Sequence, residues 1–208
     1  MKIKNVIAAI CLTMAIIACK KEKKTTVPND ETLVLETGAK ASWRGYLETG
    51  YFNQGTIELK SEKLKIEGDK IVGGEIQISV ESILVTNEGM PEESKNQLRH
   101  HLQSLDFFNL AKYPFVTYVI ASAEKTGKTD ANGNNYIIKG SLNLIGKSLP
   151  LDIPAKITMT ETDVKVVSTF KFDRTKWGMT FASQPDLPAK DKIKNEIEVD
   201  LELRAIRF

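Results

Sequence analysis

The chain has 208 residues, 41% of them hydrophobic and 27% charged, and its 29 Lys and Arg against 27 Asp and Glu give a formal net charge of +2. This is enough apolar material for one core of ordinary domain size, and a charge balance too even for a nucleic-acid-binding surface. Both cysteines, Cys11 and Cys19, lie within the first twenty residues, which excludes disulfides and thiolate chemistry from everything that follows.

The first element is a leader. Lys2 and Lys4 precede an apolar stretch over residues 6–18, and Ile16, Ile17, Ala18 and Cys19 follow a lipobox pattern with Lys20 directly after it. That stretch of 13 residues is shorter than the ~20 a helix needs to cross a bilayer. It therefore reads as a signal peptide, residues 1–18, cleaved before Cys19. The Cys19 thiol is the expected lipid-attachment site, where two or three acyl chains anchor stably and one is marginal. Residues 19–32 then form a polar tether with Lys20, Lys21, Lys23 and Lys24, broken by Pro28. Residues 1–18 hold two lysines and no acid, so the rest of the chain carries 27 basic and 27 acidic residues; from Glu31 onward the count is 23 against 25.

Residues 33–208 suit one domain. Apolar residues recur there at every second position: Ala41 and Trp43; Ile57 and Leu59; Ile76, Ile78 and Val80; Val116, Tyr118 and Ile120; Tyr136 and Ile138. The pattern continues through Leu142 and Leu144, Leu149 to Ile153, Val164 and Val166, Phe170 and Phe172, and Ile197 to Leu203. Period two means strands with one wet face, and the turn residues between them (Gly68, Asp69; Gly73, Gly74; Asn132, Gly133; Gly146, Lys147) predict about eight antiparallel strands joined by hairpins. Closing such a meander removes exposed edges, and an eight-stranded barrel is just wide enough for one small ligand. The fold class is all-β, an antiparallel lipocalin-like barrel. One segment departs from alternation: Leu98, Leu102, Leu105 and Phe108 share a helical face within residues 92–110. Ser94 is the expected cap, and Ser104 is expected to restart a second short helix over residues 106–112 before Tyr113 and Pro114 end it. This helical insert is expected to cover one end of the barrel.

Several motifs in order, Trp43-Arg44-Gly45, Leu102-Gln103-Ser104-Leu105-Asp106-Phe107-Phe108, Tyr113-Pro114, Gly140-Ser141-Leu142 and Asp173-Arg174-Thr175-Lys176-Trp177-Gly178, resemble the YceI-like family over essentially all of residues 33–208. The stretch from Leu102 to Pro114 is the most specific of them. The resemblance implies an extended lipocalin-like barrel that binds a long-chain isoprenoid, quinone or related lipid, with no established catalytic role. It departs at Gly50 to Gly55, where many relatives carry a histidine and this chain has none.

The cavity candidates are Trp43, Ile76, Ile78, Val80, Phe107, Phe108, Tyr118, Ile120, Leu142, Phe170, Phe172 and Arg174, on faces that alternation directs inward. Phe108, on the Leu98 face, is expected in the core, and Phe107 is the gate candidate. Arg174 shares parity with Phe170 and Phe172 and is expected either to meet a polar headgroup or to make a structural ion pair. His100 and His101, adjacent on a helix and so ~100° apart, do not converge on a metal and read as solvated. Asp130, Asn132 and Asn134 mimic the opening of a calcium loop, but Asn135 and Ser141 replace its glycine and final glutamate, leaving a hairpin turn. Asp173 and Arg174, as strand neighbours, face opposite sides and make no acid/base pair. No nucleophile elbow, phosphate loop, zinc pattern or dinucleotide fingerprint occurs. The expected function is a membrane-anchored carrier for an amphiphilic lipid of polyisoprenoid, isoprenoid quinone or fatty-acyl type, with no cofactor, no metal and no enzymatic activity. Its expected partners are that lipid and the membrane held through acylated Cys19, with no nucleic acid; dimerisation is left open. Lys20 in place of an aspartate after Cys19 points to the outer membrane, on either its periplasmic or its surface face. The alternative is a cell-envelope interaction module with a filled barrel core.

Overall fold

The computed structural model describes residues 31–61 and 64–208. The leader, Cys19 and most of the tether lie outside the described residues. Twelve strands are present among the described residues: β1 (Glu31–Leu35), β2 (Lys40–Leu47), β3 (Phe52–Lys60), β4 (Leu64–Glu67), β5 (Lys70–Ser79), β6 (Leu84–Val85), β7 (Phe115–Lys125), β8 (Tyr136–Leu144), β9 (Lys147–Pro150), β10 (Ile153–Met159), β11 (Asp163–Asp173) and β12 (Ile193–Arg207). Eight of them, in the order β5-β7-β8-β10-β11-β12-β2-β3, close into an antiparallel barrel when Leu59 of β3 pairs with Ile78 of β5. The other four are short additions. β1 and β4 bridge from β12 to β5, β6 extends β3, and β9 folds back on β8.

Alternation along these strands sorts apolar side chains inward and charges outward, where Arg44 meets Glu198 at 2.9 Å and Arg204 bridges Asp163 and Glu36 at 2.7 Å each. Exposed pairs of this kind contribute little each. The interior has two parts. Leu33, Ile66, Ile71, Ala155, Ile157, Val164 and Ala205 pack into a filled core around the β1-β4 bridge. The remainder of the interior is a lumen, described below.

The helical insert is shorter than the sequence predicts. α1 spans Glu92–Gln103 and starts directly after Pro91, without a side-chain cap from Ser94. It stops because Ser104 is extended (φ −77°, ψ −179°), and residues 104–113 fold into successive turns instead of a second helix. The Phe108 and Leu110 amides return to the Leu102 and Gln103 carbonyls at 3.0 and 2.9 Å, and Asn109 takes a left-handed φ of 50°. This reversal throws Leu105 outward, to 81% exposure, while Phe107 and Phe108 turn in. The Gln103 side-chain amide donates to the Val80 and Glu81 carbonyls at 3.3 and 3.2 Å, which fastens the end of α1 to the turn after β5. No helix among the described residues is long and apolar enough to cross a membrane.

Candidate ligand-binding lumen

The inward faces of β2, β3, β5, β7, β8, β11 and β12 surround a cavity of about 250 Å³, closed over by Leu98 and Leu102 of α1 and by Phe107 and Phe108 of the following turns. Its wall is almost wholly hydrocarbon. For comparison, an apolar void of ~150 Å³ holds a benzene ring. Trp43, Ile76, Ile78, Phe170, Phe172, Val199, Leu201 and Leu203 point into the barrel yet are only partly buried, because they face this space rather than one another.

Ten of the twelve cavity candidates line the lumen: Trp43, Ile76, Ile78, Phe107, Phe108, Tyr118, Leu142, Phe170, Phe172 and Arg174. Val80 and Ile120 do not. β5 ends at Ser79, so Val80 leaves the alternation and begins a 3₁₀ turn, fully buried in the core. A bulge between Ile120 and Ser122 breaks the register of β7 with β8, and Ile120 packs against the filled core.

Two aromatic expectations change. Phe107, the gate candidate, is the fully buried one of the pair, and Phe108 is partly buried against the core. His101 is not a free surface histidine. Its ring sits edge-on between Phe107 (5.1 Å) and Phe181 (4.8 Å), and its Nε2 lies 2.9 Å from Asp106 Oδ2. Phe181 belongs to the β11-β12 connection, so this cluster joins the helical cover to the opposite side of the mouth.

Arg174 makes no ion pair among the described residues. It is fully buried, and its guanidinium donates from Nη1 to the Met179 carbonyl (2.6 Å), from Nη2 to the Phe181 (2.9 Å) and Ile193 (3.4 Å) carbonyls, and from Nε to the Lys194 carbonyl (3.4 Å). Burial pulls it below the ordinary guanidinium range, partly offset by Asp173. Asp173 itself ends β11 and accepts from the Thr175 amide and hydroxyl at 2.9 and 2.6 Å, capping a 3₁₀ turn over Arg174–Trp177. Trp177, part of the motif that carries the family resemblance, is buried in that turn and donates Nε1 to the Leu142 carbonyl at 2.9 Å, with its ring edge-on to Phe172. The Tyr118 hydroxyl donates to the Ile138 and Leu151 carbonyls at 3.1 and 2.8 Å, and burial, then Asp152, pushes its pKa well above the usual phenol range. Asp130 closes a hairpin turn by accepting the Asn132 and Asn134 amides and the Asn134 side chain, which holds its carboxyl below the usual range.

A closed antiparallel barrel with an apolar lumen, a helical cover and an aromatic cluster at its mouth is of the lipocalin-like class. The family model for the YceI-like domain matches residues 36–205, and the chain belongs to that family. Three solved structures share the fold. BcnA of Burkholderia cenocepacia is 16% identical with a TM-score of 0.60, covering 80% of this chain and 95% of its own. A polyisoprenoid-binding domain from Saccharophagus degradans, implicated in plant cell wall breakdown, is 13% identical with a TM-score of 0.60, covering 85% and 98%. A YceI protein of Campylobacter jejuni is 19% identical with a TM-score of 0.53, covering 72% and 81%. No curated protein matches the chain.

Proposed function

We propose that the chain is a membrane-anchored carrier or sequestering protein for an amphiphilic lipid whose hydrocarbon tail lies in the lumen. The observation that carries this reading is an unfilled interior lined in part by inward apolar side chains, such as Ile76, Ile78, Phe170 and Phe172, that are only partly buried. Each enclosed methylene contributes about 0.8 kcal/mol, so partial insertion of a polyisoprenoid, an isoprenoid quinone or a fatty-acyl chain suffices for useful affinity. The fold shared with a domain described as polyisoprenoid-binding supports the same ligand class. Binding is favoured over catalysis because the Arg174 and Tyr118 donors in the wall are committed to backbone carbonyls. The alternative, an interaction module with a filled barrel, has less support for the same reason that the lumen reading has more.

Solvent extraction of the purified protein followed by mass spectrometry tests the carrier directly. Ile78 is the probe residue. Ile78→Trp is expected to occupy ligand volume and reduce recovered lipid several-fold, with a denaturation midpoint near that of the parent once stabilisation by bound lipid is allowed for. Unchanged recovery, with an overpacking loss of about 1–3 kcal/mol, would favour the filled module instead.

Anchoring belongs to the same proposal. Cys19→Ala is expected to abolish palmitate incorporation and to move the protein from the membrane to the soluble fraction, because the leader is too short to serve as a span. Retention of the variant in outer membranes with label still incorporated would contradict acylation at Cys19.

A further inference from the structure

The two ends of the barrel differ. The filled core around Leu33 and Ala205 lies at the Arg207 end of β12, whereas the lumen reaches Ile193 at the other end, under α1. Strand pairing runs all round the wall, so the end that α1 covers is the one left for a ligand to pass.

The cover is fastened along one side. Before α1, the Asn87 side chain is fixed to β3, its Oδ1 accepting the Gln54 amide and its Nδ2 donating to the Phe52 carbonyl, both at 3.0 Å. After α1, the Gln103 side chain holds the Val80 and Glu81 carbonyls, where the chain turns from β5 toward β6. β3, β5 and β6 adjoin one another in the sheet. Between these fastenings α1 has no buried residue, and Leu98 and Leu102 face the open lumen instead of packed side chains. A segment with so little buried apolar surface belongs to the part of a fold that opens most readily. Gly89, at φ 71°, precedes the helix and supplies a turn at which it can pivot.

The opposite side is closed by aromatic contact. The His101 ring stands edge-on to Phe107 and to Phe181, and those two rings meet at 5.4 Å. Phe181 belongs to the β11-β12 connection, across the barrel from β5. Asp106, which meets His101 Nε2 at 2.9 Å, is part of the cover itself, so that bond stiffens the cover without tying it to the barrel. Neither His101 nor Phe181 lines the lumen, and neither would touch a ligand held there. We propose that α1 and the turns through Leu110 form a lid, hinged on the β3-β5 side and latched by the His101 ring against Phe181. The latch rests on the lumen being a ligand site, and its opening limits the rate of exchange.

Stopped-flow fluorescence tests the latch, using the purified full chain stripped of lipid and N-phenyl-1-naphthylamine, an apolar probe that brightens in hydrocarbon. Association is followed on mixing, and release on mixing loaded protein with excess phosphatidylcholine vesicles. His101→Ala and Phe181→Ala are each expected to raise both rate constants about tenfold and to leave Kd within about twofold, because each weakens lid closure equally with and without ligand. The double variant is expected to exchange about as fast as Phe181→Ala alone, since both changes remove the same contact. His101→Phe keeps a ring, loses the bond to Asp106, and is expected to stay within about twofold of the parent. Unchanged rates in both alanine variants, faster release with Kd raised in proportion, or a His101→Phe as fast as His101→Ala would overturn the latch and leave the lumen reading standing. If the probe does not bind the parent, or binds Ile78→Trp as tightly as the parent, the lumen reading falls and the latch with it. Should Phe181→Ala fail to fold, His101→Ala and His101→Phe, at a partly exposed position, carry the test.

Discussion

Arg174→Met is expected to lower the stability of the barrel by about 3–5 kcal/mol. Methionine approximates the length and bulk of the arginine stem, so the loss isolates the guanidinium. Four carbonyls depend on that group, those of Met179 and Phe181 where the β11-β12 connection begins and those of Ile193 and Lys194 where it ends. An unmet buried carbonyl costs about 1–3 kcal/mol, and the two shorter contacts account for most of the figure. Arg174→Lys is expected to recover only part of the loss, because one ammonium cannot reproduce a planar fork bonded to four oxygens. Urea denaturation at unchanged slope measures both variants. A Met variant within about 0.5 kcal/mol of the parent would show that the clamp carries no weight, and full rescue by Lys that its planar fork is not required. The consequence for ligand retention runs through Phe181, whose carbonyl Arg174 holds and whose ring packs on His101 and Phe107. Releasing the loop loosens one wall of the mouth, so bound lipid is expected to leave faster from Arg174→Met than from the parent.

The barrel was legible in the sequence because its strands separate a dry interior from water, and period-two alternation at Ile76 and Ile78, Phe170 and Phe172, or Val199 and Leu201 records that separation residue by residue. The signal does not depend on whether the interior is filled, which is why Leu33 in the core and Ile78 on the lumen wall look alike until the structure separates them. Where an element ends, the local pattern misleads. Leu98, Leu102, Leu105 and Phe108 keep helical spacing, but Gln103 is fixed to the turn at Val80 and the chain reverses at Ser104, so Leu105 faces outward. Contacts between residues distant in sequence left no local trace. His101 meets Phe181 eighty residues away, and the oxygens that receive Arg174 are main-chain atoms with no side-chain signature. Asn53 was visible only as part of a stretch that departs from the usual family histidine. Its place on the lumen wall, opposite Gly45, needed the register that pairs β2 with β3.

Gly55→Ala is expected to cost about 3 kcal/mol or more, a large effect for one methyl group. A Cβ at position 55 would collide with the Leu84 carbonyl oxygen and lie 2.6 and 2.8 Å from Cζ2 and Cε2 of the Trp43 ring. The two obstacles differ in kind. The indole can swing into the lumen, where there is room, but the Leu84 oxygen belongs to β6, which is held against β3 by the Gly55–Val85 and Thr56–Leu84 pairs. Backbone cannot step aside without breaking that ladder. The double variant Gly55→Ala, Trp43→Ala is therefore expected to stay substantially less stable than Trp43→Ala alone, since it removes the ring and keeps the backbone collision. Full additive rescue in the double variant would place the strain in the indole instead, and a single variant as stable as the parent would mean that β6 is free to shift. The ligand readout separates the same possibilities, because an indole displaced into the lumen takes volume that a ligand would occupy. Lipid recovery should consequently fall in Gly55→Ala in proportion to how much of the strain the ring, rather than β6, absorbs.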